Sequence, residues 1–65
     1  MVDVLIKYLS NGDYLKVYFV DGKEEVYYGS GKRIENNFLQ VTSTLETRFI
    51  NLDTVKSIDI ISKSE

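Results

Sequence analysis

The sequence predicts an all-β fold, either a small antiparallel barrel of five or six strands or a strongly curled meander. Val, Ile, Tyr, Phe and Thr dominate its periodic segments, and alanine and proline are absent, which disfavours helix and leaves strand pairing uninterrupted. Asn11-Gly12 and Asp21-Gly22 are each a two-residue hairpin signal between runs of strand-forming residues. At most one short helical turn is expected, near residues 53–56.

The length of 65 residues predicts a single domain, residues 1–65. We expect residues 1–28 to form a three-stranded meander and residues 33–62 to supply the remaining short strands. A chain this short buries only about 60% of its extended surface. Because it has no cysteine for disulfides and no Cys or His for a zinc site, a homo-oligomer is an open option.

Asn11-Gly12, taken as a two-residue loop, fixes the register of the first hairpin. Ser10 then faces Asp13, and pairing runs outward with alternate residues on opposite faces. A slip of one residue would bring Lys7 and Lys16 into the core, so the pattern specifies the register. The face predicted to be core is wholly apolar: Val4, Ile6, Tyr8, Leu15, Val17 and Phe19.

Asp21-Gly22, treated in the same way, sets the register of the second hairpin. It places Val17 opposite Val26 and Leu15 opposite Tyr28, which adds Val26 and Tyr28 to the predicted core face. The opposite, outer face of the meander then collects seven residues: Leu5, Lys7, Leu9, Tyr14, Lys16, Tyr18 and Tyr27.

The rest of the chain contains weaker signals. Gly29–Lys32 is predicted as a loop or as a sharp bend that lets the sheet curl over itself. Asp53 is expected to cap the single helical turn. Four further strand segments are predicted: 33–35, 38–43, 47–52 and 57–62.

The segment from Phe49 to Ile60, FINLDTVKSIDI, resembles the end of small SH3-like and Sm-like barrels, where a strand leads into a one-turn helix and a short closing strand. The chain is also similar to short uncharacterised proteins of low-GC bacteria and their phages, which share this Asn-Leu-Asp-x-Val-x-Ser-Ile ending. The resemblance implies an SH3-like or Sm-like fold and, from the Sm proteins, RNA binding. The chain departs from the Sm pattern in three ways. The N-terminal helix that usually precedes the barrel is not predicted, no Arg-Gly pair of the kind that lines the nucleotide pocket precedes the last strands, and the Asp-x-x-x-Asn arrangement of the first Sm motif has no clear match.

The composition argues against an enzyme. Without His or Cys, the usual general base and the strongest nucleophile are missing. The stretch Gly29–Lys32 lacks the spacing of a phosphate loop. Glu24 and Glu25 are adjacent in a strand and so point to opposite faces, where they cannot converge on a metal. We therefore expect no catalytic residues, no metal site and no cofactor.

The chain is expected to be cytoplasmic. It has no apolar stretch of about 20 residues that could span a membrane and no basic signal-peptide start. The lack of cysteine agrees with a reducing compartment. Eight basic and ten acidic residues give a net charge of −2, which argues against bulk capture of nucleic acid but leaves a local basic patch open.

The outer face of the meander is more apolar than a solvated face requires, and three interpretations of it stay open. In the first, later parts of the chain cover this face. In the second, a protein binds the face with Tyr18 and Tyr27 as anchors. In the third, single-stranded nucleic acid stacks on its tyrosines. The lysines of that face and the Lys32-Arg33 doublet would then contact phosphates, although the doublet also fits an ordinary solvated loop.

We favour a non-catalytic binding or adaptor module that contacts another protein, or a second copy of itself, through this face. One alternative is an Sm-like or cold-shock-like protein that binds single-stranded RNA or DNA. Another is a structural subunit of a ring or phage particle, in which edge strands without proline pair between chains.

Overall fold

The computed structural model describes residues 1–62 and is mostly β, with one helix. The β-rich expectation is therefore confirmed, although the limit of one short helical turn is wrong. In chain order the elements are α1 (Val2–Ser10), β1 (Tyr14–Phe19), β2 (Glu24–Tyr27), β3 (Ser30–Glu35), β4 (Phe38–Thr42), β5 (Thr47–Asn51), a one-turn 3-10 helix (Leu52–Thr54) and β6 (Val55–Ile61).

The six strands form two antiparallel sheets of three strands each. The first sheet has the order β2-β1-β6 and the second the order β3-β4-β5. The chain bends from β2 into β3 at Gly29, where an added Cβ would overlap the carbonyl oxygen of Thr42, so only glycine permits this close approach. Of the segment Gly29–Lys32, predicted as a loop or a sharp bend, only Gly29 bends, and the other three residues belong to β3, which begins at Ser30 rather than at residue 33.

Residues 2–10 form a helix and not the first strand of a meander, so the three-stranded meander predicted for residues 1–28 is wrong in its first strand, while its second and third strands are present as β1 and β2. Val2, Leu5 and Leu9 lie on one face of α1 and are all buried. This face packs on β3 at Gly31, where an added Cβ would lie only 3.0 Å from Leu9 Cδ1. Residues 2–10 therefore form a helix rather than a strand because the helix can pack its apolar side against the second sheet.

Gly12 ends this helix and does not turn a hairpin. Its N–H donates to the Leu9 carbonyl oxygen (3.0 Å), and the Asp13 N–H donates to the Tyr8 carbonyl oxygen (3.1 Å). These two bonds, with Gly12 at φ +88°, are those of a Schellman motif. The pairing predicted between residues 4–9 and β1 is therefore absent, and Val4 and Tyr8, predicted as core, are exposed.

The β1–β2 hairpin is shifted by one residue from the predicted register. Its loop has three residues, because the Phe19 N–H donates to the Lys23 carbonyl oxygen (2.8 Å). Gly22, at φ +94°, follows a type I turn and forms a G1 bulge. Leu15 consequently pairs with Tyr27 rather than Tyr28. A shift of one residue moves every side chain of β2 to the other face.

The shift decides which side chains of β2 reach the core. Tyr27, predicted on the outer face, is buried, whereas Val26 and Tyr28, predicted as core, are exposed. Leu15 and Val17 of β1 are buried, as predicted. The whole buried cluster is Val2, Leu5, Leu9, Leu15, Val17, Tyr27, Leu39, Val41 and Ile50.

The 3-10 helix precedes β6 close to the predicted position. Its cap is Asn51, whose side-chain oxygen accepts from the Asp53 N–H (3.0 Å), so the prediction that Asp53 caps it is wrong. Asp53 instead accepts from the Asn37 side-chain amide (2.8 Å), which fixes the β3–β4 turn against this segment. β6 then pairs antiparallel with β1.

Candidate binding surface

The seven residues predicted to share one outer face do not all lie together. Leu5 and Leu9 are on the buried side of α1, and Lys7 is on its exposed side. Tyr27 is in the core, where burial raises the pKa of its phenol. The structure keeps three of the seven together on the outer face of the first sheet: Tyr14, Lys16 and Tyr18.

These three side chains form the central column of a three-by-three array, which we call the aromatic face. The flanking columns come from β2 and β6, since alternate residues of each strand share a face. Tyr28, which directly follows β2, replaces the Tyr27 of the prediction. The rows are Tyr28, Tyr14 and Ile61, then Val26, Lys16 and Asp59, then Glu24, Tyr18 and Ser57.

One end of the aromatic face is apolar and open to solvent. The rings of Tyr14 and Tyr28 pack at 5.4 Å between centroids with a tilt of 39°. Val26, Tyr28 and Ile61 are 41%, 42% and 41% exposed. Three exposed side chains therefore lie beside the half-buried ring of Tyr14, and none of the four carries a charge.

The charged groups of the middle row and of the other end contact one another or Tyr18. Lys16 Nζ lies 3.3 Å from Glu24 Oε1 and 5.5 Å from the ring centroid of Tyr18. The hydrogen bond to Glu24, and then that to Tyr18, raises the pKa of Lys16. The Tyr18 hydroxyl donates to Asp59 Oδ2 (3.2 Å). With two carboxylates and one ammonium, this face presents net negative charge.

The Lys32-Arg33 doublet does not act as one basic patch. Adjacent strand residues point to opposite faces. Lys32 pairs with Gln40 on the outer face of the second sheet. Arg33 faces the helix, where its guanidinium lies 3.4 Å from Asp3 Oδ1 and donates to the Asn36 carbonyl oxygen (3.2 Å). Of the two candidate charge contacts, only Lys32 lies on an open sheet face.

The outer face of the second sheet contains an exposed aromatic group that the sequence analysis missed. Phe49 is 57% exposed and shares a cross-strand row with Gln40 and Lys32. Phe38, also exposed, lies in the next row. The signal was present in the sequence, because Phe49 alternates with the buried Ile50 and Phe38 with the buried Leu39.

A third apolar surface lies between α1 and β6. It is a groove of about 300 Å³ lined by Met1, Val4, Leu5 and Tyr8 on the helix side. Leu52, Val55, Lys56, Ser57, Ile58 and Ile60 line the other side.

Across residues 1–62, no three or more Asp, Glu, His or Cys side chains are grouped so that they could hold a metal ion. Glu24 is on the aromatic face, whereas Glu25 points inward and pairs with Arg48 at 2.9 Å, so the two carboxylates diverge as expected. None of the helices in residues 1–62 has the length and apolarity needed to cross a membrane.

Comparison with protein-family models, with curated proteins and with solved structures finds no match to this chain.

Proposed function

We propose that the protein is a non-catalytic binding module that contacts another protein through the aromatic face. The observation that supports this is the open cluster of Tyr14, Val26, Tyr28 and Ile61 beside charges that already have partners. Tyrosine is enriched in the cores of protein interfaces, and charged groups belong at their rims. On this face the charges lie to one side of the apolar cluster, with Lys16 and Asp59 in the middle row and Glu24 in the far row.

The charge of this face favours a protein over nucleic acid as its partner. The single ammonium, Lys16, is engaged by Glu24, and Asp59 adds a second carboxylate. Phosphate binding needs unpaired cations, because affinity for nucleic acid comes largely from neutralising the backbone. A partner with an apolar anchor and a basic rim fits better.

The experiment is affinity capture from native extract with the full chain, followed by mass spectrometry. The test variant is Tyr14→Ala with Tyr28→Ala, and the matched control is Phe49→Ala on the other sheet. We expect the wild type and the control to retain the same partner and the double variant to lose most of it. Equal recovery on all three folded baits contradicts the proposal.

A second candidate function, binding of single-stranded nucleic acid, is supported by the row of Phe49, Gln40 and Lys32 on the second sheet. An exposed ring can stack on a base while an amide and an ammonium contact its edge and phosphate. Titration of a labelled oligonucleotide at low salt tests it. Binding that Phe49→Ala and Lys32→Ala each weaken supports it, and a flat titration rules it out.

The fold that we propose is SH3-like or Sm-like. A helix before the first strand, a bend between β2 and β3 at Gly29 and a one-turn helix before β6 follow the order of the resemblance. The helix removes one of the three departures inferred from the sequence, whereas the missing Arg-Gly pair and the missing Asp-x-x-x-Asn motif remain. The proposed fold depends on the pairing of the last strand, β6, with the first strand, β1. Nuclear Overhauser contacts between the backbones of these two strands test the pairing, and their absence would contradict the proposed fold.

A further inference from the structure

The side chain of Asn11 is exposed, its carboxamide forms no hydrogen bond within residues 1–62, and the residue that follows it is a glycine. The chain has three other asparagines. Two of them are held by hydrogen bonds, since the Asn37 amide donates to Asp53 Oδ1 (2.8 Å) and the Asn51 side-chain oxygen accepts from the Asp53 N–H (3.0 Å). Asn36 is exposed, but the residue that follows it carries a side chain. Asn11 therefore combines a free carboxamide with an unhindered neighbour, which none of the other three does.

This combination favours deamidation through a cyclic imide. The Gly12 amide nitrogen attacks Cγ of Asn11, so that an N–Cγ bond forms and the Cγ–Nδ2 bond breaks. Nδ2 leaves as ammonia with the proton of the Gly12 nitrogen. Water then opens the imide at Cγ to give aspartate, or at the main-chain carbonyl carbon to give isoaspartate, in which the chain runs through Cβ and Cγ. Glycine, which has no Cβ, leaves the nitrogen most open to this attack.

The folded helix end keeps the two reacting groups apart. At the Asn11 ψ of 0°, the Gly12 nitrogen eclipses the Asn11 nitrogen and not Cβ, so it is turned away from the side chain. The Gly12 N–H also donates to the Leu9 carbonyl oxygen (3.0 Å). Ring closure requires that the Gly12 peptide rotates about the Asn11 Cα–C bond. The same rotation moves Asp13, whose N–H donates to the Tyr8 carbonyl oxygen (3.1 Å), so the whole Schellman motif must open first.

We propose that Asn11 is a deamidation site whose rate is set by the opening of this motif at the end of α1. The isoaspartate product then prevents the motif from forming again. It adds a methylene group to the main chain before the Gly12 nitrogen, which displaces the N–H donors from the carbonyl oxygens of Leu9 and Tyr8. It also places a carboxylate at the C-terminal end of the helix, where the helix dipole is negative. Because ammonia is lost, the change is irreversible.

Peptide mapping of the full chain, incubated at mildly alkaline pH with and without guanidinium chloride, tests the proposal. In the unfolded chain we expect Asn11 to be modified before the other asparagines. In the folded chain we expect the rate at Asn11 to be at least about tenfold lower, because two backbone hydrogen bonds must open first. A different asparagine modified first, or equal rates at Asn11 with and without denaturant, would overturn the proposal.

Two variants separate the chemistry of this site from that of the rest of the chain. Asn11→Gln needs a larger ring and should stay unmodified. In the unfolded chain, Gly12→Ala places a Cβ beside the nitrogen and should lower the rate at Asn11 to that at Asn36; an unchanged rate would contradict the proposed attack. Asp21-Gly22 can form the same imide by losing water, but its isoaspartate has the mass of aspartate. The gain in mass when OH replaces NH2 therefore assigns a product to asparagine.

Hydrogen exchange tests the effect of the modification on the helix. Anion exchange separates the modified chain, because deamidation adds a negative charge. In the isoaspartate form we expect the amides of Gly12 and Asp13 to exchange at least about tenfold faster than in the unmodified protein, since they lose their acceptors. The amides of β4, the central strand of the second sheet, should keep their protection. Unchanged protection at Gly12 and Asp13 would show that the modification does not release the helix end.

Discussion

The guanidinium of Arg48 lies 4.0 Å from the ring centroid of Tyr27 and joins the two sheets. Arg48 is on β5 of the second sheet, and Tyr27 is on β2 of the first. The same guanidinium donates to the Val26 carbonyl oxygen (3.0 Å) and to Glu25 Oε1 (2.9 Å). One side chain thus covers a core tyrosine and provides a partner for a backbone group of an edge strand.

Replacing Arg48 should therefore loosen the contact between the sheets. We expect Arg48→Ala to lower the free energy of unfolding by about 2 kcal/mol, since it removes a cation–π contact and a hydrogen bond to the main chain. Urea unfolding measures this. The control is Arg33→Ala, whose exposed ion pair with Asp3 should contribute less than about 1 kcal/mol. Equal losses for the two variants would show that Arg48 has no special role.

The buried phenol of Tyr27 predicts that the protein loses stability at alkaline pH. Burial raises the pKa of its phenol above the ordinary value of 10.0, more than the nearby Arg48 lowers it. A pKa raised by folding gives stability that is complete below the unfolded value and is lost as the pH rises through the folded value. We expect unfolding free energy to fall above about pH 10, and to fall less in Tyr27→Phe. A Tyr27→Phe protein with the same alkaline slope as the wild type would contradict this.

The helix end at Gly12 gives a test of the Schellman motif. Gly12 has φ +88°, a conformation that costs an L-residue about 1 kcal/mol, and an added Cβ would meet no atom within 4 Å. We expect Gly12→Ala to lower the unfolding free energy by about 1 kcal/mol for this reason alone. Asn11→Ala is the control, since Asn11 has an ordinary φ of −84° and should change stability by less than about 0.5 kcal/mol.

The bend at Gly29 should tolerate substitution much less well. An added Cβ would overlap the backbone oxygen of Thr42, which cannot move without separating β3 from β4. We expect Gly29→Ala to lower the unfolding free energy by about 3 kcal/mol or more. Thermal unfolding of Gly29→Ala beside Gly12→Ala measures the difference. If the two substitutions cost the same, the bend does not depend on close approach.

The sequence was sufficient for the β-rich class and for the approximate positions of most strands, but not for residues 4–9. Val4, Ile6 and Tyr8 alternate as in a strand, while Leu5 and Leu9 repeat as in a helix. The local pattern therefore permits both. Contact between Leu9 and Gly31, 22 residues later in the chain, decides between them, and no local signal reports that contact.

The part of the aromatic face that comes from a single strand, β1, could be predicted from the sequence. Tyr14, Lys16 and Tyr18 share a face because they alternate within β1. The predicted β2 side of this face was wrong. Asp21-Gly22 fits both a two-residue turn and a three-residue loop with a bulge, and the two loops give β1–β2 registers that differ by one residue. That difference exchanged Tyr27 for Tyr28 on the aromatic face.

The most direct test of the proposed function is amide chemical-shift mapping of the labelled protein, titrated with the partner recovered by capture. If the aromatic face is the binding surface, the largest changes fall on Tyr14, Val26, Tyr28 and Ile61, and the second sheet around Phe49 stays unchanged. Changes centred on Phe49 and Lys32, with the aromatic face unaffected, would contradict the account.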